Sequence, residues 1–106
     1  MGRRVFDFGR FSEPALLILV SLADGPKHGY AILQDIARTA GVRLGAGTLY
    51  GALARLERHG LIEPAGGDER RRPYRLTQAG TTALRAQLAE LQELAGVGLR
   101  RLEVVS

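Results

Sequence analysis

The stretch Ala46–Gly60, AGTLYGALARLERHG, constrains the fold more than any other part of the chain. Leu49, Leu53 and Leu56 recur at helical spacing and form one apolar stripe. Gly51, Ala54, Arg55 and Arg58 fall on the other side, which holds no large apolar side chain and whose charges are two arginines. Gly60 stands where a helix stop is expected, because glycine accepts the left-handed conformation of a C-terminal cap. The stretch predicts a short helix, packed on one side and slim and basic on the other. Such a surface suits the DNA major groove.

The elements before it complete a helix-turn-helix. Ser12 is a good N-cap and Pro14 is tolerated in a first turn, so a helix is expected over 15–23. That segment is apolar nearly all round and should be buried on most sides. Asp24-Gly25-Pro26 breaks it, Gly29-Tyr30 opens a second helix and Gly41 closes that one. A short turn then leads to the helix beginning near Ala46.

After Gly60 the pattern changes. Leu61-Ile62-Glu63-Pro64 predicts a short strand, Gly66-Gly67-Asp68 a turn, and Arg72 to Thr77 a returning strand with Tyr74 and Leu76 on one face. Pro73 has no N–H to donate, so this strand is expected at an edge or with a bulge. Arg70, Arg71 and Arg72 lie near the hairpin tip. A helix-turn-helix followed by a basic hairpin is a winged helix. Thr77 caps a fourth helix from Gln78, where Leu84, Leu88, Leu91 and Ala95 are spaced four, three and four apart and Leu94 widens the seam. Gly96 and Gly98 interrupt the pattern, so the helix is not expected to be secure there, and Leu99 and Leu102 either extend it or fold back. An apolar seam projecting from an already complete domain needs a partner, and the expected partner is the same helix of a second copy. The arm Met1 to Phe11 holds all three phenylalanines, and its Phe6 and Phe8 are expected to dock on the domain or a second subunit unless the arm is merely frayed. The expected fold class is therefore mostly α with a small β-hairpin. A winged helix-turn-helix over 1–77, including the arm 1–11, precedes a dimerisation helix over 78–106.

Composition narrows the function. With 106 residues one domain is expected, and 45% apolar residues suffice for a small core. The net charge of +4 points weakly to a polyanion, although many small proteins are basic without such a partner. No cysteine is present, which removes disulfides, thiolate catalysis and cysteine metal sites and fits a reducing cytoplasm. The apolar run from Ala15 to Ala23 is far short of the roughly 20 residues that span a bilayer, so no membrane association is expected. His28 and His59 have no acidic or thiol partner at metal-binding spacing, and no carboxylates can be placed beside a nucleophile. The chain is thus expected to be neither an enzyme nor the holder of a cofactor or metal.

Three ordered fragments resemble the PadR family of bacterial transcriptional regulators. They are Gly25-Pro26-Lys27-His28-Gly29-Tyr30, then Gly47-Thr48-Leu49-Tyr50 with Leu53, Leu56 and Gly60-Leu61-Ile62, then Tyr74-Arg75-Leu76-Thr77-Gln78-Ala79-Gly80. The single short C-terminal helix is similar to that of the family's smaller members. The resemblance implies a cytoplasmic homodimer, a palindromic operator in double-stranded DNA and repression, relieved in some members by a small apolar effector at the dimer interface. Departures are Gly45-Ala46 where Ser-Pro is common, Gly51 where a larger residue is common, and Pro73 where a tyrosine is common. No tryptophan is present, so members that stack planar drugs on a C-terminal tryptophan are a poor guide.

The expected DNA contacts are Thr48, Tyr50, Gly51, Arg55 and Arg58 on the third helix, Arg43 ahead of it, and Arg70, Arg71 and Arg72 on the wing. Against this, Thr48 and Tyr50 could simply support the helix start, and the arginines could be solvated, Arg55 beside Glu57. The expected dimer residues are Phe6, Phe8, Leu84, Leu88, Leu91, Leu94, Ala95 and Leu102. Other readings are a MarR- or ArsR-type winged helix, a winged-helix protein-interaction scaffold, or a small-ligand-binding dimer without DNA binding.

Overall fold

The computed structural model describes residues 13–66 and 72–105. The arm with Phe6 and Phe8, the cap candidate Ser12, and Arg70 and Arg71 lie outside the described residues. The element order is α1 (Glu13–Leu22), α2 (Gly29–Ala40), α3 (Ala46–Arg58), β1 (Ile62–Pro64), β2 (Tyr74–Leu76) and α4 (Gln78–Val105). The fold is that of a winged helix, mostly helical with one antiparallel hairpin.

Helix α1 is the centre of the packing and touches α2, α3, β2 and α4. Its Ile18 and Leu19 are fully buried, and they meet Ile32 and Ile36 of α2 and Leu49 and Leu53 of α3 in one apolar core. Each such side chain contributes about 1.5–3 kcal/mol of burial free energy, so this cluster fixes how the helices sit. The helix is buried on most sides, as expected, and Val20 remains partly in solvent.

Both helix stops fall on glycine. Gly41 closes α2 at φ 70° and donates its N–H to the Ala37 carbonyl. At the end of α3, Gly60 has φ 74°, its N–H bonds the Glu57 carbonyl, and the Leu61 N–H reaches the Leu56 carbonyl. This pair of bonds is a Schellman cap, and it turns the chain into β1.

In the hairpin, Ile62 faces Leu76, Glu63 faces Arg75 and Pro64 faces Tyr74. Arg75 and Glu63 are ion-paired at 2.9 Å on the outer face, while Tyr74 and Leu76 pack toward the core. The strand after Pro73 lies at an edge of the two-stranded sheet, as expected, and Pro73 itself stands just before it. Strand β2 begins one residue later, at Tyr74, which pairs on both sides: with β1 and, through an isolated bridge, with Lys27. Pro73 uses only its carbonyl, which accepts the Ala65 N–H at 2.8 Å. Its missing N–H therefore costs the sheet nothing.

Thr77 caps α4: its hydroxyl accepts the Gly80 N–H and donates to the Gly60 carbonyl. The helix then runs unbroken through Gly96 and Gly98 to Val105, so of the two alternatives left open Leu99 and Leu102 extend it. A glycine costs a helix about 1 kcal/mol, and good helix formers on either side, such as Leu94, Leu99 and Arg100, offset that. Leu84 needs correction. It was expected in the projecting seam, yet it lies in the domain's own core at 4% exposure, because the first turns of α4 pack on α1 and β2. Beyond them Leu91 is half-buried, while Leu88, Leu94, Ala95, Leu99 and Leu102 are exposed. Among the described residues, no helix is long and apolar enough to cross a membrane.

Candidate nucleic-acid interface

Helix α3 has a sharp inside and outside. Leu49, Ala52, Leu53 and Leu56 are buried, and every other residue of the helix is exposed. Helical geometry puts Gly47, Gly51, Ala54 and Arg58 along the outermost strip, with Thr48 and Arg55 on one flank and Tyr50 and Glu57 on the other.

The two glycines of that strip have no role inside the domain. A Cβ at Gly47 would meet nothing within 4 Å, and one at Gly51 would meet only the Arg55 guanidinium, at 3.9 Å. Each glycine still costs the helix about 1 kcal/mol relative to alanine. Steric need within the chain therefore does not explain them.

The helix start is open to an anion. The N-cap is Gly45, which makes no side-chain cap, as the substitution of Gly45-Ala46 for Ser-Pro implied. The first helical hydrogen bond runs from the Leu49 N–H to the Gly45 carbonyl, so the amides of Ala46, Gly47 and Thr48 have no helical acceptor. Thr48 is exposed beside them. Tyr50 packs against the domain through its hydroxyl, which lies against Gly29 at the start of α2, and remains largely exposed, at 54%. A Cβ at Gly29 would come within 2.5 Å of that oxygen, so glycine there makes room for the phenol.

Arg55 and Arg58 are exposed, and among the described residues neither has an acidic side chain within ion-pair distance; the pairing of Arg55 with Glu57 does not form. Three other surface cations are neutralised, Lys27 by Asp24, Arg38 by Asp35 and Arg75 by Glu63, while the exposed Arg85 has no acidic partner among the described residues either. Arg43 is exposed in the turn before α3, and Arg72 is half-buried at the stem of the wing. His59 closes α3 locally, its Nδ1 2.9 Å from the Arg55 carbonyl. Among the described residues no three His, Cys, Asp or Glu side chains gather in a metal-binding group.

Two features of this surface escaped the sequence reading. Gly47 repeats with Gly51, Ala54 and Arg58 at helical spacing, a signal present in the sequence. The seating of Tyr50 on Gly29 had no such signal, because it depends on how α2 and α3 cross.

Residues 18–86 match the model of the transcriptional regulator PadR-like family. The transcriptional regulator Rv3488 of Mycobacterium tuberculosis is 45% identical over 83 residues, covering 76% of this chain and 77% of that protein. An uncharacterized 37.1 kDa protein in transposon TN4556 of Streptomyces fradiae is 46% identical over 87 residues, covering 82% of this chain. The match spans only 25% of that longer relative. Among solved structures, a PadR family transcription regulator from Clostridium difficile R20291 superposes with a TM-score of 0.76 at 27% identity, covering 86% of this chain and 99% of that one.

Proposed function

The chain belongs to the PadR-like family of transcriptional regulators, and on that footing we propose that it is a homodimeric repressor acting in the cytoplasm on a palindromic operator. The regulators of this family are not enzymes. The observation that carries the DNA-binding reading is the outer strip of α3. Two glycines that the domain does not need lie beside two arginines without acidic partners. The glycines let the helix backbone come close to the floor of the major groove. Arg55 and Arg58 reach phosphate or a guanine edge, and the open amides and the Thr48 hydroxyl meet phosphate. Tyr50 and Arg43 contribute at the rim, and Arg70, Arg71 and Arg72 clamp the flanking backbone from the wing.

The winged-helix unit over 1–77 does the reading, and the helix from Gln78 onward makes the dimer. Leu88, Leu91, Leu94, Ala95 and Leu102 form the seam, whose leucines expose apolar surface that water disfavours. A two-fold axis there would set the two α3 helices about 34–36 Å apart, one turn of DNA. An apolar effector bound between the α4 helices would act by changing that spacing.

The test is a duplex titration across salt concentrations after selection from a random pool. An enriched inverted repeat is expected. The double variant Arg55→Ala, Arg58→Ala should bind at least tenfold more weakly and lower the slope of log K against log salt by about 0.9 for each lost phosphate contact. Unchanged affinity and slope would make this face a solvated one and favour the interaction-scaffold reading.

The dimer has its own test. Leu88→Asp places a charge in the seam, and light scattering should then give the monomer mass with the helical content retained. A variant that stays dimeric would move the interface off this face of α4.

A further inference from the structure

The motif Gly25-Pro26-Lys27 joins α1 to α2, and DNA recognition as described above leaves it without a task. Its lysine is nevertheless tied on three sides. The Lys27 N–H donates to the Tyr74 carbonyl at 3.0 Å, and the Tyr74 N–H returns a bond to the Lys27 carbonyl at 2.9 Å. The Lys27 ammonium donates to the Ser21 carbonyl in the last turn of α1 and to the Asp24 carboxylate. A cation at a helix C-terminus also meets the negative end of the helix dipole. The side chain is only 19% exposed, against 71% for Arg38. The hydrogen bond and charge of Lys27 hold the Asp24 carboxyl below its ordinary value.

Tyr74 is where the wing begins. It follows Arg72 and Pro73 directly, and its other edge is bonded to β1. Strand β1 attaches the hairpin to the end of α3, and Lys27 attaches the opposite edge to α1 and α2. A hairpin fixed along one edge can swing about that edge, while one fixed along both cannot.

We propose that Lys27 is a positioning residue for the wing, a latch whose backbone completes the sheet and whose ammonium, anchored on Ser21 and Asp24, holds that backbone against Tyr74. It is then not a phosphate contact, because its ammonium is already engaged by Ser21 and Asp24. Its functional half rests on the DNA-binding reading; its structural half does not.

Two measurements decide it. The first is amide exchange by NMR on the free protein. Lys27→Met and Asp24→Ala should each speed exchange of the Tyr74 N–H at least tenfold and leave that of the Ile32 N–H, which bonds the His28 carbonyl inside the fold, unchanged. Unchanged Tyr74 exchange in both variants overturns the latch. The second is a double-mutant cycle in duplex binding between Lys27→Met and Arg72→Ala. A latch makes the two losses non-additive, since a displaced wing has already lost its arginine contact. Additive losses, with the salt slope lowered by about 0.9 in Lys27→Met alone, would instead make Lys27 a direct phosphate contact. Failure of the unmodified protein to bind any duplex would end the DNA-binding reading and the functional half with it. The exchange experiment would still decide the structural half.

Discussion

Gly80→Ala is expected to lower the melting temperature by roughly 15 °C or more, a loss of about 3 kcal/mol or more. The added Cβ would lie 1.9 Å from the Leu61 carbonyl oxygen, 2.9 Å from its carbon and 3.3 Å from the Leu61 Cα. These are backbone atoms, and no side-chain rotation relieves the clash. Nor can either backbone retreat freely. The Leu61 carbonyl accepts the Thr77 N–H, the Gly60 carbonyl accepts the Thr77 hydroxyl, and Thr77 also caps α4 through the Gly80 N–H. Moving α4 outward breaks these bonds and withdraws Leu84 from the core. Moving Leu61 instead disturbs the Schellman cap that ends α3. A thermal melt by circular dichroism at fixed protein concentration makes the comparison, since a dimer's melting point depends on concentration. A melting point within a few degrees of the unmodified protein would mean that α4 docks elsewhere.

That contact illustrates what the sequence could and could not disclose. Periodicity located α2 and α3 well, because buried leucines and isoleucines recur on one face and glycines stop both helices at Gly41 and Gly60. The hairpin was readable from Tyr74 and Leu76, two apart between turn residues. Most of what was missed lies between elements. Leu84 fits a heptad seam as well as it fits a core position, and only the docking of α4 on α1 distinguishes them. Pro73 argued for an edge strand, which β2 is, but the isolated bridge to Lys27 was not legible, because that residue is distant in sequence in a segment too short to read as a strand. Gly80 stands in the fragment that leaves the wing, and nothing in the sequence discloses that the Leu61 carbonyl lies against it. For the candidate interface, the division of α3 into a buried and an exposed side was present in the spacing. The absence of acidic partners for Arg55 and Arg58 was not, because ion pairing depends on where Asp24, Asp35 and Glu63 end up.

Gly51→Leu is expected to stabilise the free protein and to weaken operator binding at least 100-fold. The stability gain follows from helix propensity, about 0.8 kcal/mol for replacing glycine by leucine inside a helix. No steric cost opposes it, because only the tip of Arg55 approaches a Cβ at this position, and that side chain can move aside. The loss of binding follows from the same geometry. A leucine in the middle of the outer strip stands between the α3 backbone and the groove floor, and it displaces Arg55 from over Gly51. Both terms, lost contacts and an imposed gap, act on the proposed recognition surface of this chain, and about 2.7 kcal/mol suffices for a hundredfold change. The informative result is the pair of signs, measured by thermal melting and duplex titration on the same preparation. A variant that loses both stability and binding says only that unfolded protein does not bind. One that gains stability and keeps its affinity removes this strip from the interface and shifts recognition to the wing. Opposite signs arise only where a residue is retained for a partner at the fold's expense, and the empty space around Gly51 already shows that the fold does not require it.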